Sequence, residues 1–215
     1  MIERATGLIL RTRPLTETSL IVNWLTPALG RISTVAKGAR RAKSPLRGKL
    51  DLFYLAEFSF QRSRRSELHT LREVSLLETH AALRTDLGWL RQAAYCAALI
   101  EQTTERETPL PELFALLRKF LATLAQQPPL AQNVFAFELK LLDELGLKPD
   151  PTETNLTPGA KVILEKLAAS DGPGRSRLKL SDAQIAELRQ FLHGFLVFHL
   201  GKTPTGRTAA LQGLA

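Results

Sequence analysis

Cysteine is all but missing from this chain: Cys96 is the only one in 215 residues. A single cysteine excludes an internal disulfide and any zinc site built from several thiolates. The four histidines, His69, His80, His193 and His199, are scattered, and the spacing of the last two is wrong for ligands on one helical face. No Glu-x-x-His occurs to build a carboxylate-bridged metal site. No metal and no other cofactor is therefore expected. Long apolar runs are lacking too. The longest late one, Phe195 to Phe198, is far short of the roughly 20 residues that a spanning helix needs. The opening MIERATGLIL mixes acid and base within four residues, so no signal peptide is expected, no membrane partner either, and the expected compartment is the cytoplasm.

Catalytic signatures are absent as well. There is no Gly-x-Ser-x-Gly. Gly201-Lys202-Thr203 ends like a phosphate-binding loop, but Leu196 stands where that motif needs glycine, and the stretch follows a helical pattern, not a strand. Cys96 lies in an Ala-rich helical stretch and reads as a small buried hydrophobe. No enzyme is expected.

What the chain has is positive charge in one place. Its 44% hydrophobic and 23% charged residues are those of a globular protein. The net charge is +8, and residues 1–80 hold 14 Lys/Arg against 7 Asp/Glu, so nearly all the excess sits there. Such asymmetry points to a polyanion. Within it, AKGARRAKSPLRGKL (36–50) carries Lys37, Arg40, Arg41, Lys43, Arg47 and Lys49 and no acid. Two glycines and a proline keep this block from being a strand interior. It reads as a phosphate-contacting loop, with Arg31 as a further cation on the strand before it; an ordinary solvated loop is the plainer alternative.

The apolar pattern has period two up to about residue 78. Leu52, Tyr54, Ala56, Phe58 and Phe60 fall on one face of a strand, and ATGLILRT, SLIVNWLT, RISTVAK and ELHTLREVSLL supply four more. Five short strands without a crossover helix suit a five-stranded OB-fold barrel. Tyr54, Phe58 and Phe60 are expected in its core, with Phe53, on the opposite face, left as a candidate base contact. The period then becomes helical in DLGWLRQAAYCAALIEQ, ELFALLRKFLATLA and NVFAFELKLLDELG. Gly146 is placed to end a helix, Thr157-Pro158 to start one, and Ser181 with Gln184 to form a capping box before the last. DGPGRSR reads as a loop. The expected class is α+β: an OB-fold domain over residues 1–79, then an α-helical bundle domain over 80–215.

The order of these features resembles the RecO family of bacterial recombination mediators. Glu17-Thr18-Ser19-Leu20, Thr26-Pro27-x-x-Gly30-Arg31, Ala36-Lys37-Gly38-Ala39-Arg40 and Thr70-Leu71-Arg72-Glu73 carry the resemblance. Ser44, Leu46 and Gly48 add to it, as do Glu112-Leu113-Phe114, FELKLLDELGL at 137–147 and HLGKTPTGR at 199–207. It implies an N-terminal OB-fold, a helical domain, and no turnover. It also implies binding of single- and double-stranded DNA, annealing of complementary strands, and action with RecR. Together they would load recombinase onto DNA coated by single-strand-binding protein, at the nucleoid. Lys37, Arg40 and Arg41 are where the family's DNA contacts fall. Three departures stand out. KPDPTETNLTPGAK lacks the cysteines of the family's zinc module, Val134, Phe135 and Ala136 replace basic residues, and Thr205-Gly206-Arg207 keeps only the arginine of a Lys-Ser-Arg.

The resemblance also implies that the acidic C-terminal tail of single-strand-binding protein is a ligand. Its carboxylate and apolar end require an apolar pocket rimmed by cations. Phe114, Leu117, Leu121, Arg118 and Lys119 form one candidate wall, and Phe135 with Lys140 the facing one. The same apolar residues would serve equally as interhelical core. In a second reading of the whole chain, the barrel is a docking platform of a protein–protein adaptor and DNA contact is secondary.

Overall fold

The computed structural model describes residues 2–170 and 178–212; the loop expected at DGPGRSR, 171–177, lies outside them. The chain divides into two compact units. One is Met1–Ala81 with Thr104–Ala115, the other Ala82–Thr103 with Leu116–Ala215.

The first unit is a closed barrel of β1 (Ile2–Pro14), β2 (Leu20–Thr26), β3 (Gly30–Ala36), β4 (Leu55–Gln61) and β5 (Leu68–Glu78), ordered β1-β2-β3-β5-β4. All neighbours are antiparallel except β3 and β5, which run parallel. Closure depends on β1. Its first half pairs with β4 and its second with β2, and Leu8 sits opposite both Leu55 and Leu25. A bulge between Ile9 and Arg11 turns the strand from one partner to the other.

The alternating residues meet inside: Ile9, Val22, Trp24, Ile32, Phe58, Phe60, Leu71 and Val74 form one core. Trp24 stacks on Phe58 with centroids 4.0 Å apart, and its Nε1–H donates to Thr34 Oγ1 at 2.9 Å, so the indole is buried with no orphan donor. Phe58 and Phe60 are core, as the alternation requires. Phe53 departs from the expectation of a base contact. It is 2% exposed, because the chain before β4 turns through a positive φ of 64° at this residue. Its N–H donates to Ile9 O at 2.8 Å, and His80 Nδ1 lies 2.8 Å from its carbonyl.

Residues 104–115 form a strap on this barrel. Glu107 N–H donates to Arg31 O and Leu110 N–H to Pro27 O, both at 3.1 Å. The strap lies against the β2–β3 turn so closely that a Cβ on Gly30, whose φ is +62°, would sit 1.8 Å from Thr108 O. Only glycine meets both demands.

The second unit is helical: α1 (Leu87–Thr103), the greater part of α2 (Pro111–Leu124), α3 (Ala131–Glu144), α4 (Pro158–Ala169), α5 (Asp182–Leu200) and the short α6 (Arg207–Leu211). The capping residues act as expected. Thr157 caps α4, Ser181 and Gln184 close a capping box on α5, and Gly146, at φ 71°, follows α3. Cys96 is fully buried in α1. α3 is buried almost all round, and its Glu138 carboxylate accepts from Tyr95 Oη and Arg207. Among the described residues no helix is long and apolar enough to cross a membrane.

Candidate nucleic-acid interface

Between β3 and β4 the chain makes consecutive tight turns: Arg41 N–H to Gly38 O, Ser44 N–H to Arg41 O, Arg47 N–H to Ser44 O and Lys49 N–H to Leu46 O, at 3.0–3.2 Å. Two small anchors hold this segment to the barrel. Ala39 and Leu46 are 5% and 6% exposed and belong to the barrel core. The β1–β2 loop holds it from the side: Arg40 N–H donates to Thr18 O at 3.0 Å, and Gly38 N–H to Ser19 Oγ at 3.3 Å. Thr16 Oγ1 in turn accepts from the N–H of Ser19 at 3.1 Å. The backbone is thus fixed while the side chains stand in water.

Lys37, Arg40, Arg41, Lys43 and Arg47 are all exposed. Among the described residues none of them ion-pairs with a carboxylate. Among the described residues their side chains bond only carbonyls: Arg40 Nη1 to Thr16 O at 3.5 Å and Arg47 Nη1 to Ala42 O at 3.2 Å. Lys49 is partly buried and donates to Val74 O at 3.3 Å, which ties the loop to β5. Such a cluster suits anionic oxygens, since each cation retains donors for a ligand.

Arg31 is placed differently. It is half-buried beneath the strap and its Nη2 donates to Thr104 O. Other exposed barrel cations, Arg11, Arg13, Arg64 and Arg65 among them, lie outside the predicted set. Arg64 and Arg65 are exposed in the β4–β5 loop. Strand register sets that loop at the far end of the barrel: Gln61 pairs with Ile2, whereas Leu20, beside the basic loop, pairs with Pro14 and Ala36. A charged pair between strand patterns was the only sequence signal for them.

The strapped end is a charge network. Arg62 Nε is 2.6 Å from Glu3 Oε1 and its Nη1 2.8 Å from Glu107 Oε2. His69, 1% exposed, has Nε2 3.3 Å from Glu107 Oε1 and Nδ1 accepting from Ser63 N–H at 3.3 Å. Burial pushes the His69 pKa down, against the pull of Glu107. The hydrogen bond from Arg62 holds the Glu3 carboxyl below the usual carboxylate range.

Leu117, Leu121 and Phe135, in the helical unit, are at most 2% exposed, and Phe114, in the barrel unit, is 8% exposed. Arg118 and Lys119 are on the surface and Lys140 is half-buried. The residues read as pocket walls are therefore packed, with the cations outside. An open cavity of about 530 Å³ lies elsewhere in the helical unit, between α5 and the turn into α6. Arg189, His193, Thr205 and Leu211 line it, and Arg189 Nε is buried with no hydrogen-bond partner among the described residues.

A closed five-stranded barrel of this topology, with a basic loop pinned to its core and helices after it, defines an OB-fold protein with a helical region. Residues 1–80 match the family described as "Recombination protein O N terminal", and residues 84–155 the one described as "Recombination protein O C terminal". DNA repair protein RecO of Xylella fastidiosa (strain M23) is 32% identical over 219 residues, covering all of this chain and 86% of that protein. The proteins of the same name from Bacillus pumilus and Anaeromyxobacter dehalogenans (strain 2CP-C) are 33% and 35% identical. Those two alignments cover 70% and 68% of this chain and 58% of each relative. The chain belongs to the RecO family.

Proposed function

We propose that this chain is a DNA repair and recombination mediator that binds single- and double-stranded DNA through the basic loop of its barrel. Lys37, Arg40, Arg41, Lys43 and Arg47 meet phosphates, with Lys49 holding the loop and Arg31 the strap. The observation that carries this reading is five exposed cations, without a carboxylate partner among the described residues, on a backbone fixed to the core. Cations and backbone amides neutralise phosphates but match no base edge, so binding is independent of sequence. Neutralising two strands at once removes the repulsion between them, which is the physical basis for annealing complementary strands.

The same reading makes the chain a non-enzymatic partner of RecR in loading recombinase onto DNA coated by single-strand-binding protein, in the bacterial cytoplasm at the nucleoid. It needs no cofactor and no zinc. The barrel domain covers residues 1–79 with the strap returning to it, and the helical domain, without a zinc module, covers 80–215. The acidic tail of single-strand-binding protein docks on the helical domain, where Arg118 and Lys119 present surface charge. The α5–α6 cavity is a second place for it, favoured by its apolar lining and the unpartnered Arg189 Nε. Strand annealing by the purified chain tests the proposal. Annealing lost in Arg40→Ala/Arg41→Ala supports it; no annealing by the wild type, with partner proteins still captured, would favour the adaptor reading.

A further inference from the structure

α5 is apolar on two sides. Leu188, Leu192 and Leu196 repeat every four residues and are fully buried. Beside that row runs another that is not. Phe191 and Phe195 are half-buried, and Phe198 is 83% exposed. Phe191 and Phe195 lie 5.8 Å apart between centroids, Phe195 and His199 4.3 Å, and Phe198 and His199 4.9 Å edge to face. A single exposed apolar side chain is ordinary, whereas a contiguous aromatic row in water marks an interaction surface.

Gly194 lies in this row, three residues after Phe191 and four before Phe198, so all three share one flank. A glycine within a helix weakens it relative to alanine. Nothing in the packing demands one here: a Cβ would meet no atom within 4 Å, and the backbone is helical. Its effect is a bare notch between two rings.

Along the chain, from the second half of α5 onward, the charge has one sign. From Leu188 to the C-terminus the sequence has no Asp or Glu but holds Arg189, His193, His199, Lys202 and Arg207. Lys202 is exposed just past His199. The nearest acid along the helix, Glu187, has its carboxylate occupied by Thr157 N–H at 2.6 Å and Thr157 Oγ1 at 2.8 Å.

We propose that the Phe191–Gly194–Phe198 flank is a stacking platform for bases of single-stranded nucleic acid, with Lys202 on the phosphates. It is a second contact surface besides the barrel and rests on the reading that the chain binds single strands. Flat rings with a cation adjacent along the chain match a base plane attached to a phosphate. An acidic peptide fits less well. An apolar side chain needs a concavity, and the cavity of about 530 Å³ on α5 lies beyond the leucine row, where Arg189 and His193 line it. A base needs only an exposed ring and a gap beside it, and in a duplex its faces are already covered. The platform is therefore specific for single strands.

The test uses the full chain with oligo(dT) of about 16 nucleotides, an abasic oligomer of equal length, and a duplex. Phe198→Ala should weaken oligo(dT) binding by about fivefold or more while the abasic oligomer and the duplex bind as before. Gly194→Ala should raise the melting temperature and still weaken oligo(dT) binding, a split that a merely structural glycine does not produce. Phe198→Trp should bind oligo(dT) with its added fluorescence quenched. Wild-type affinity for oligo(dT) in both alanine variants overturns the platform, as does a change in self-association or acidic-peptide binding in its place. If the wild type binds neither oligomer, the barrel reading fails with it; if the abasic oligomer binds and only the base dependence is missing, the barrel reading stands alone.

Discussion

Arg207 closes a two-point ion pair on Glu138, 69 positions earlier in the chain: Nε lies 2.7 Å from Oε1 and Nη2 2.9 Å from Oε2. Glu138 is fully buried, Tyr95 Oη donates to it at 2.6 Å, and Arg207 Nη1 reaches Arg189 O at 3.1 Å. The pair thus ties the C-terminal turn to α1, α3 and α5. Burial pushes the Tyr95 pKa up, so the phenol stays a donor.

Removing only the arginine leaves a buried carboxylate uncompensated. Arg207→Met should lower stability by about 3–5 kcal/mol in urea unfolding. Adding Glu138→Leu and Tyr95→Phe should restore most of it, because the charge and its orphaned donor leave together. A loss below about 1 kcal/mol in the single variant would show that water reaches Glu138.

The strapped end of the barrel should be acid-sensitive in two stages. Burial depresses the His69 pKa from its ordinary 6.5, so below that pH the unfolded chain binds a proton that the folded one resists. Stability is full above about pH 6.5 and falls as pH drops toward the folded pKa. The charges facing the ring are Glu107 on the strap, Arg62 after β4 and Glu3 on β1. Glu3, held down by Arg62, adds a second loss below its ordinary 4.5. Urea midpoints against pH, followed by Trp24 fluorescence, should show the first stage flattened in His69→Gln and the second retained. An unaltered profile would remove His69 from the account.

Gly30 sets the seat of the strap. Gly30→Ala must take an unfavourable φ, costing about 1–2 kcal/mol, and pushes a methyl against Thr108 O. The strap should lift, and trypsin should cut after Arg106 several-fold faster than in the wild type. Equal cleavage rates would mean that Thr104–Ala115 is held elsewhere.

An acidic tail peptide with a C-terminal carboxylate distinguishes the two places on the helical domain. Arg189→Glu should weaken its binding by about tenfold or more, roughly 1.4 kcal/mol, and by more than Arg118→Glu does. The apolar residues near Arg118 are packed, whereas those around Arg189 line an open cavity. Calorimetry at matched salt checks this, and a larger loss in Arg118→Glu would place the tail on α2.

Much of the fold was legible because period and caps are local signals. Alternation gave the five strands, and Thr157, Ser181 and Gln184 marked two helix starts. What was not legible is long-range. ERETPLPE has no apolar period, so nothing in it announced a strap whose seat depends on Gly30. Phe53 follows the strand alternation by position, but its positive φ belongs to a turn. Arg31 looked like a free cation because the carbonyl beneath it is 73 positions away. Glu138 and Arg207 stand in separate sequence blocks, and only folding brings them into one contact. The basic loop was the clearest site signal because six cations without an acid is a property of composition alone.

The salt dependence of binding tests the central claim most directly. Five cations at residues 37–47 each meeting a phosphate would give a log–log slope of about −3.5 on single strands. Arg40→Ala/Arg41→Ala should flatten it by roughly one to two units, equally for every sequence, while Arg31→Ala leaves it unchanged. A slope in the double variant equal to that of the wild type would contradict the account, because the DNA would then be held by charges outside this loop.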